Sequence, residues 1–230
     1  VIPEIFSEIA DPLIVLARAS ALTTRIKLGT GICLVPLHNP LLLAKEIATL
    51  DHLSGGRFLF GIGAGWLKEQ AEIIGSNFEL RWLQTREAIL AMKEVWTKDE
   101  AEFHGQMYDF PPVRSFPKPV QKPHPPIHIG AKAGDVLKWV VEWGDGWFPP
   151  TRVTLEQVKM GRATLNELAL AAGRDPNSIE ITIIGRTADP EEIRKWEEAG
   201  ANRATIRLPT TEGDGAFDQM EEIARRVIAR

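Results

Sequence analysis

Read for the spacing of apolar and polar positions, the chain alternates short apolar runs with longer stretches of helical period. Asp11 to Thr24 places Pro12 just after a capping aspartate and then repeats apolar residues at helical spacing, which predicts a helix. Ile26 to Leu34 follows with little polar alternation, and a strand without alternation is buried on both faces, as in a parallel sheet. The same pair recurs along the chain. Asn39-Pro40 caps a helix over Leu41 to Leu53 that stops at Ser54-Gly55-Gly56, and Arg57 to Gly63 is the next strand. Further on come a helix over Arg81 to Trp96, a strand over Pro126 to Gly130, a helix over Asp135 to Trp143 and a strand over Gly146 to Phe148. A helix over Leu155 to Ala172 closes at Gly173, Ile179 to Gly185 is a strand, Pro190 to Ala199 is a helix closed by Gly200, and Ala204 to Leu208 precedes a terminal helix.

Six strands with helices between them make repeated βα units, whose crossovers build a parallel sheet with helices outside. A closed barrel and a doubly wound sheet both satisfy that pattern. Thr97 to Pro126 departs from it, crowding seven prolines from Pro111 to Pro126 beside a hairpin around Phe103 to Tyr108. We expect an excursion from one domain spanning residues 1–230, because no linker separates two cores.

Composition narrows the partners. Against 27 Lys and Arg stand 31 Asp and Glu, a net charge of −4 with no basic stretch, which argues against nucleic acid. The longest apolar stretch, Ile32 to Leu43, is broken by Pro36, His38, Asn39 and Pro40, short of the ~20 residues a membrane span requires. One cysteine, Cys33, makes no internal disulfide, and we expect a cytoplasmic protein with Cys33 as a small buried hydrophobe.

The candidate chemistry sits where strands end. Gly61-Ile62-Gly63-Ala64-Gly65 follows a strand, but the dinucleotide fingerprint needs a sixth-position glycine and Trp66 stands there, so that motif is rejected. These glycines read equally as a tight turn or as a loop for close ligand approach. Gly31, between Thr30 and Ile32 in an apolar strand, marks a bulge, a bend or a close backbone approach. Gly130-Ala131-Lys132-Ala133-Gly134 opens a helix with small residues, leaving backbone N–H groups free at its positive end, which is the recipe for a phosphate site. Trp66 and Trp147 each follow or end a strand and read equally as the roof of a flat ligand or as rim packing. His38, His52, His104, His124 and His128 show no metal-ligand spacing, and Asp51-His52 reads as a cap and packing pair.

In this order the pieces resemble the bacterial luciferase-like monooxygenase family, in its flavin- or coenzyme F420-dependent branch. The residues that carry it are Ile26 to Gly31 with Pro36 to Pro40, Leu43 to Arg57, Gly61 to Glu69, the segment from Pro117 to Ala131, and Gly144 to Trp147, with Glu197 to Pro209 also in pattern. The resemblance implies a TIM-type (β/α)8 barrel with FMN or F420 in its C-terminal mouth, hydride transfer or monooxygenation of a small organic substrate, and a homodimer. It implies that Gly31-Ile32, next to Thr30, is a non-proline cis peptide behind the cofactor ring. Gly63 and Ala64 would line the ring edge, Gly130, Ala131, Lys132, Ala133 and Gly134 would hold the phosphate, and Trp66 and Trp147 would meet substrate. Sugar-phosphate dehydrogenases of the family carry a glutamate where Trp66 stands, so the resemblance points instead to a flat or apolar substrate. It also places the excursion near the mouth. Family members open with two further strands and a histidine ahead of a segment like Val1 to Glu4. We therefore expect the first two barrel strands to be lacking, exposed edges at the strands around Gly29 and Ile206, and no catalytic side chain within the sequence. The alternatives are a replacement strand from Val1 to Ala10 and, for function, an inactive flavin-binding barrel fragment.

Overall fold

The computed structural model describes residues 9–208 and 215–227. The segments 1–4 and 1–10, on which a replacement strand depends, lie wholly or largely outside them. Two compact units divide after Ile127, within a strand and not at a linker.

In the first unit, helix α1 (Pro12–Leu22) starts at Asp11, whose carboxylate accepts the Ile14 N–H at 3.0 Å. It leads into two short strands, β1 (Leu28–Gly29) and β2 (Cys33–Leu34), both parallel to β3 (Phe58–Gly63). The single strand expected over Ile26 to Leu34 is thus present in two pieces. Leu28 pairs with Phe58 and Gly29 with Leu59, but Cys33 pairs with Ile62, so one extra residue is taken up between the pieces, as a bulge requires. Helix α2 (Pro40–Ser54) is capped by the Asn39 side chain and ends at Gly55 in the left-handed region, φ 66°, a turn glycine makes without strain. Its apolar face, with Leu43, Ile47 and Leu50, is buried. After β3 come α3 (Lys68–Ile73) and α4 (Arg81–Thr97), and then an antiparallel hairpin of β4 (Ala101–His104) and β5 (Asp109–Val113).

The excursion does not lie near the mouth. It joins the C-terminal end of α4 to the strand that begins at Ile127, and it packs at the start of β3, opposite the end that carries Gly63. Asp51, fully buried in α2, accepts the Gln121 N–H at 2.9 Å and its side-chain amide at 2.7 Å. That amide also donates to Phe58 O at 2.7 Å, and Lys118 Nζ donates to Val95 O at the end of α4. Up the outer side of α4, the carboxylate of Glu87 accepts the N–H groups of Gln106, Met107 and Tyr108 at the hairpin tip. These bonds hold Lys118 to Gln121 at the start of β3, while the hairpin tip lies along α4.

In the second unit, β6 (Ile127–Gly130), β7 (Gly146–Phe148), β8 (Glu180–Arg186) and β9 (Arg203–Ile206) pair in parallel in that order. Helices α5 (Asp135–Trp143), α6 (Leu155–Ala171) and α7 (Pro190–Glu198) connect them, and α8 (Gly215–Val227) ends the described chain. Counting β1 and β2 as one position, the described residues hold the six parallel strand positions expected. Among them β1 is bonded only to β3 and β9 only to β8. No helix among the described residues is long and apolar enough to cross a membrane.

Candidate functional site

The end of β3 in the first unit is built of small residues. Gly63 and Ala64 are buried, Gly65 turns the chain at φ 83°, and Trp66 then projects into solvent with 63% of its surface exposed. Beside them Thr30 is buried and donates its hydroxyl to Gly61 O at 2.7 Å, which ties the bulge to the neighbouring strand. The Gly31–Ile32 peptide is cis, as the resemblance implied. Thr30, Gly31, Ile32, Gly63, Ala64 and Trp66 are therefore gathered at one set of strand ends. Cys33 below them is buried, and burial first, then Asp11 and Glu46, pushes its thiol up to about 12, which leaves it no thiolate near neutral pH.

In the second unit Gly130 to Gly134 runs from the end of β6 into α5. Gly134 occupies the N-cap at φ 129°, ψ −133°, and no side chain caps the helix. The Leu137 N–H is taken by Gly134 O at 3.1 Å, and those of Asp135 and Val136 point out of the helix start, with Ala131, Lys132 and Ala133 half-buried or exposed around them.

Trp147 has a different place from the substrate contact expected of it. It is 1% exposed, its ring lies against Gly161 of α6, and its indole N–H donates to Ala131 O at 2.8 Å. A Cβ at position 161 would stand 2.3 Å from the ring, so that helix is notched to admit it. The tryptophan supports the loop from the helix side.

On the opposite face of the same strands lies a cluster that sequence reasoning did not find. His128, 1% exposed, has Nε2 at 3.3 Å from Glu180 Oε2 and Nδ1 at 3.3 Å from the Thr182 hydroxyl. The Nε2 contact is close but off the line of a well-formed hydrogen bond. Arg203 donates to Glu180 Oε2 at 3.0 Å and to Thr182 Oγ1 at 2.9 Å. The His128 ring first, and the Arg203 guanidinium after it, hold the Glu180 carboxyl down at about 2. Gly146 is a glycine because a Cβ there would meet the His128 ring at 2.8 Å. The one legible signal was a histidine inside an apolar strand, which must find partners.

A cavity of about 710 Å³ in this unit lies among α6, α7 and the starts of β8 and β9, at the strand ends opposite the loop. Its Arg162 is spent on Ile179 O, Gly200 O and Asn202, so its largest polar group serves packing.

The chain is 36% identical over 220 residues to an uncharacterised protein of Mycobacterium tuberculosis, covering 94% of this chain and 76% of that protein. It is 36% identical over 225 residues to the FMNH2-dependent dimethylsulfone monooxygenase of Pseudomonas putida, covering 89% of this chain and 61% of that enzyme. The coenzyme F420-dependent tetrahydromethanopterin reductase of Methanopyrus kandleri superposes with a TM-score of 0.76 at 18% identity, over 96% of this chain and 87% of that one. That likeness concerns the fold, which is of the TIM type expected. The sequence profile of the luciferase-like monooxygenases matches residues 2–228, and the chain belongs to that family.

Proposed function

We propose that this chain is an oxidoreductase of a small organic substrate that works with a flavin-type cofactor, with FMN as the first choice and F420 as the second. The observation that carries the reading is the loop Gly130 to Gly134, small, uncapped by any side chain and braced from behind by Trp147. The order of choice follows from relatives: a protein 36% identical to this chain is named as FMNH2-dependent, whereas the F420-dependent reductase is 18% identical.

In this reading the backbone N–H groups of residues 131–136 hold the phosphate at the positive end of α5. Within the first unit, Gly31, Ile32, Gly63 and Ala64 present backbone and small side chains at one set of strand ends, and Thr30 keeps that backbone fixed through Gly61 O. Trp66 supplies an exposed flat apolar surface to the substrate. When bound, reduced FMN supplies hydride or oxygen activation, and F420 supplies hydride alone; the protein binds, orients and excludes water.

Titration with FMN and with F420, followed by desalting, tests the reading. Retained visible absorbance with either supports it, and retention of neither overturns it in favour of a non-catalytic barrel. A homodimer is part of the proposal and is checked by sedimentation.

A further inference from the structure

We propose that Trp147 is a positioning residue for this loop: its indole N–H holds the Ala131 carbonyl on the helix side of β6 and β7, and so turns the Lys132 N–H toward the bound phosphate. This rests on the reading of Gly130 to Gly134 as the phosphate loop. Trp147 pairs in register with Ile129, two residues before Ala131, and its ring is clamped by the notch at Gly161. From that fixed seat Nε1 reaches Ala131 O at 2.8 Å. Indole is a donor only, so the bond has one possible sense, and it satisfies a carbonyl beside a loop that needs its N–H groups for a ligand.

The direction of the neighbouring N–H follows from covalent geometry. In a trans peptide the carbonyl of one residue and the N–H of the next point in opposite directions, and the Ala131–Lys132 bond is not among the cis peptides. With Ala131 O directed at Trp147, the Lys132 N–H faces away from the indole. Turned the other way, the same peptide would set a partial negative charge against an anion. Trp147 thus acts through the loop without touching the ligand, and the notch at Gly161 and the small loop residues become parts of one device.

The test is the preference for a phosphorylated ligand, read as the ratio of FMN to riboflavin affinity by fluorescence titration. Trp147→Phe keeps an aromatic ring for the notch and removes the donor. FMN affinity should fall about tenfold, the cost of one charge-assisted hydrogen bond, while riboflavin affinity changes less than about twofold. Gly161→Ala displaces the ring without removing the donor and should shrink the same ratio, so it carries the test if Trp147→Phe does not fold. Equal losses for both ligands, or an unchanged ratio, overturn the role of Trp147. A wild-type chain that binds riboflavin as tightly as FMN overturns the phosphate loop itself, which separates the two failures.

Discussion

At the scale of single residues, burial decides which side chains are chemically available. His128 stands between Ile127 and Ile129, both fully buried, and a polar ring there persists because Glu180, Thr182 and Arg203 surround it. Its partners lie 52 or more residues away along the chain, so nothing local in the sequence could name them. Glu180 is held at about 2 instead of the ordinary 4.5. A carboxyl whose folded value is depressed stabilises the fold above its unfolded value and loses that contribution as pH falls through the folded one. Glu180→Gln is therefore expected to cost roughly 1–2 kcal/mol at neutral pH, discounted because about a third of the side chain meets solvent. The gap from wild type should narrow as pH falls from about 5 toward about 2 in urea denaturation. A gap independent of pH would show that the charge is not what Glu180 contributes. Cys33, with its thiol near 12, should resist alkylation in the native state at about pH 8, and rapid labelling would refute its burial.

At the scale of elements, turns and caps were legible and side-chain direction was not. Asp11 and Asn39 before proline, and Gly55 and Gly200 after helices, mark boundaries because local hydrogen bonding and backbone freedom decide them. Trp147 could face a ligand or a helix, and only the notch at Gly161, fourteen residues on, settles which. The excursion was visible as an excursion, but its place is set by long-range bonds, such as those of Gln121 to Asp51 and Phe58 O, that no local pattern announces. Its pin is testable. Gln121→Ala leaves Asp51 buried with both side-chain amide bonds of Gln121 lost, and should destabilise by about 2 kcal/mol while leaving FMN affinity unchanged. A change in ligand affinity with unchanged stability would return the excursion to the mouth. In the loop Gly130 to Gly134, Ala133→Glu sets a carboxylate against the proposed phosphate and should lower FMN affinity with little effect on urea stability. Unchanged affinity would place the anion elsewhere.

For the whole molecule, six parallel strand positions could be counted from the sequence because each is a short run rich in apolar and β-branched residues punctuated by glycine, proline or a cap. The pairing could not be read that way, because it depends on neighbours brought up by intervening helices. Among the described residues β9 is bonded on one side only, to β8. Its residues Arg203, Ala204, Thr205 and Ile206 are all half-buried, so an open row of N–H and C=O groups runs beside partly exposed apolar surface. Such an edge templates pairing with another chain, and charged side chains on it oppose that pairing. The chain is accordingly expected to self-associate as its concentration rises, beyond any defined dimer, in sedimentation velocity or light scattering. Ala204→Lys places a charge on the edge and spares Thr205, whose hydroxyl accepts the Gly185 N–H at 3.2 Å. The variant should stay at a fixed mass over the same concentrations. Growth of the variant equal to wild type would show that β9 is not the associating edge, and a wild type of fixed mass would show that its edge is protected.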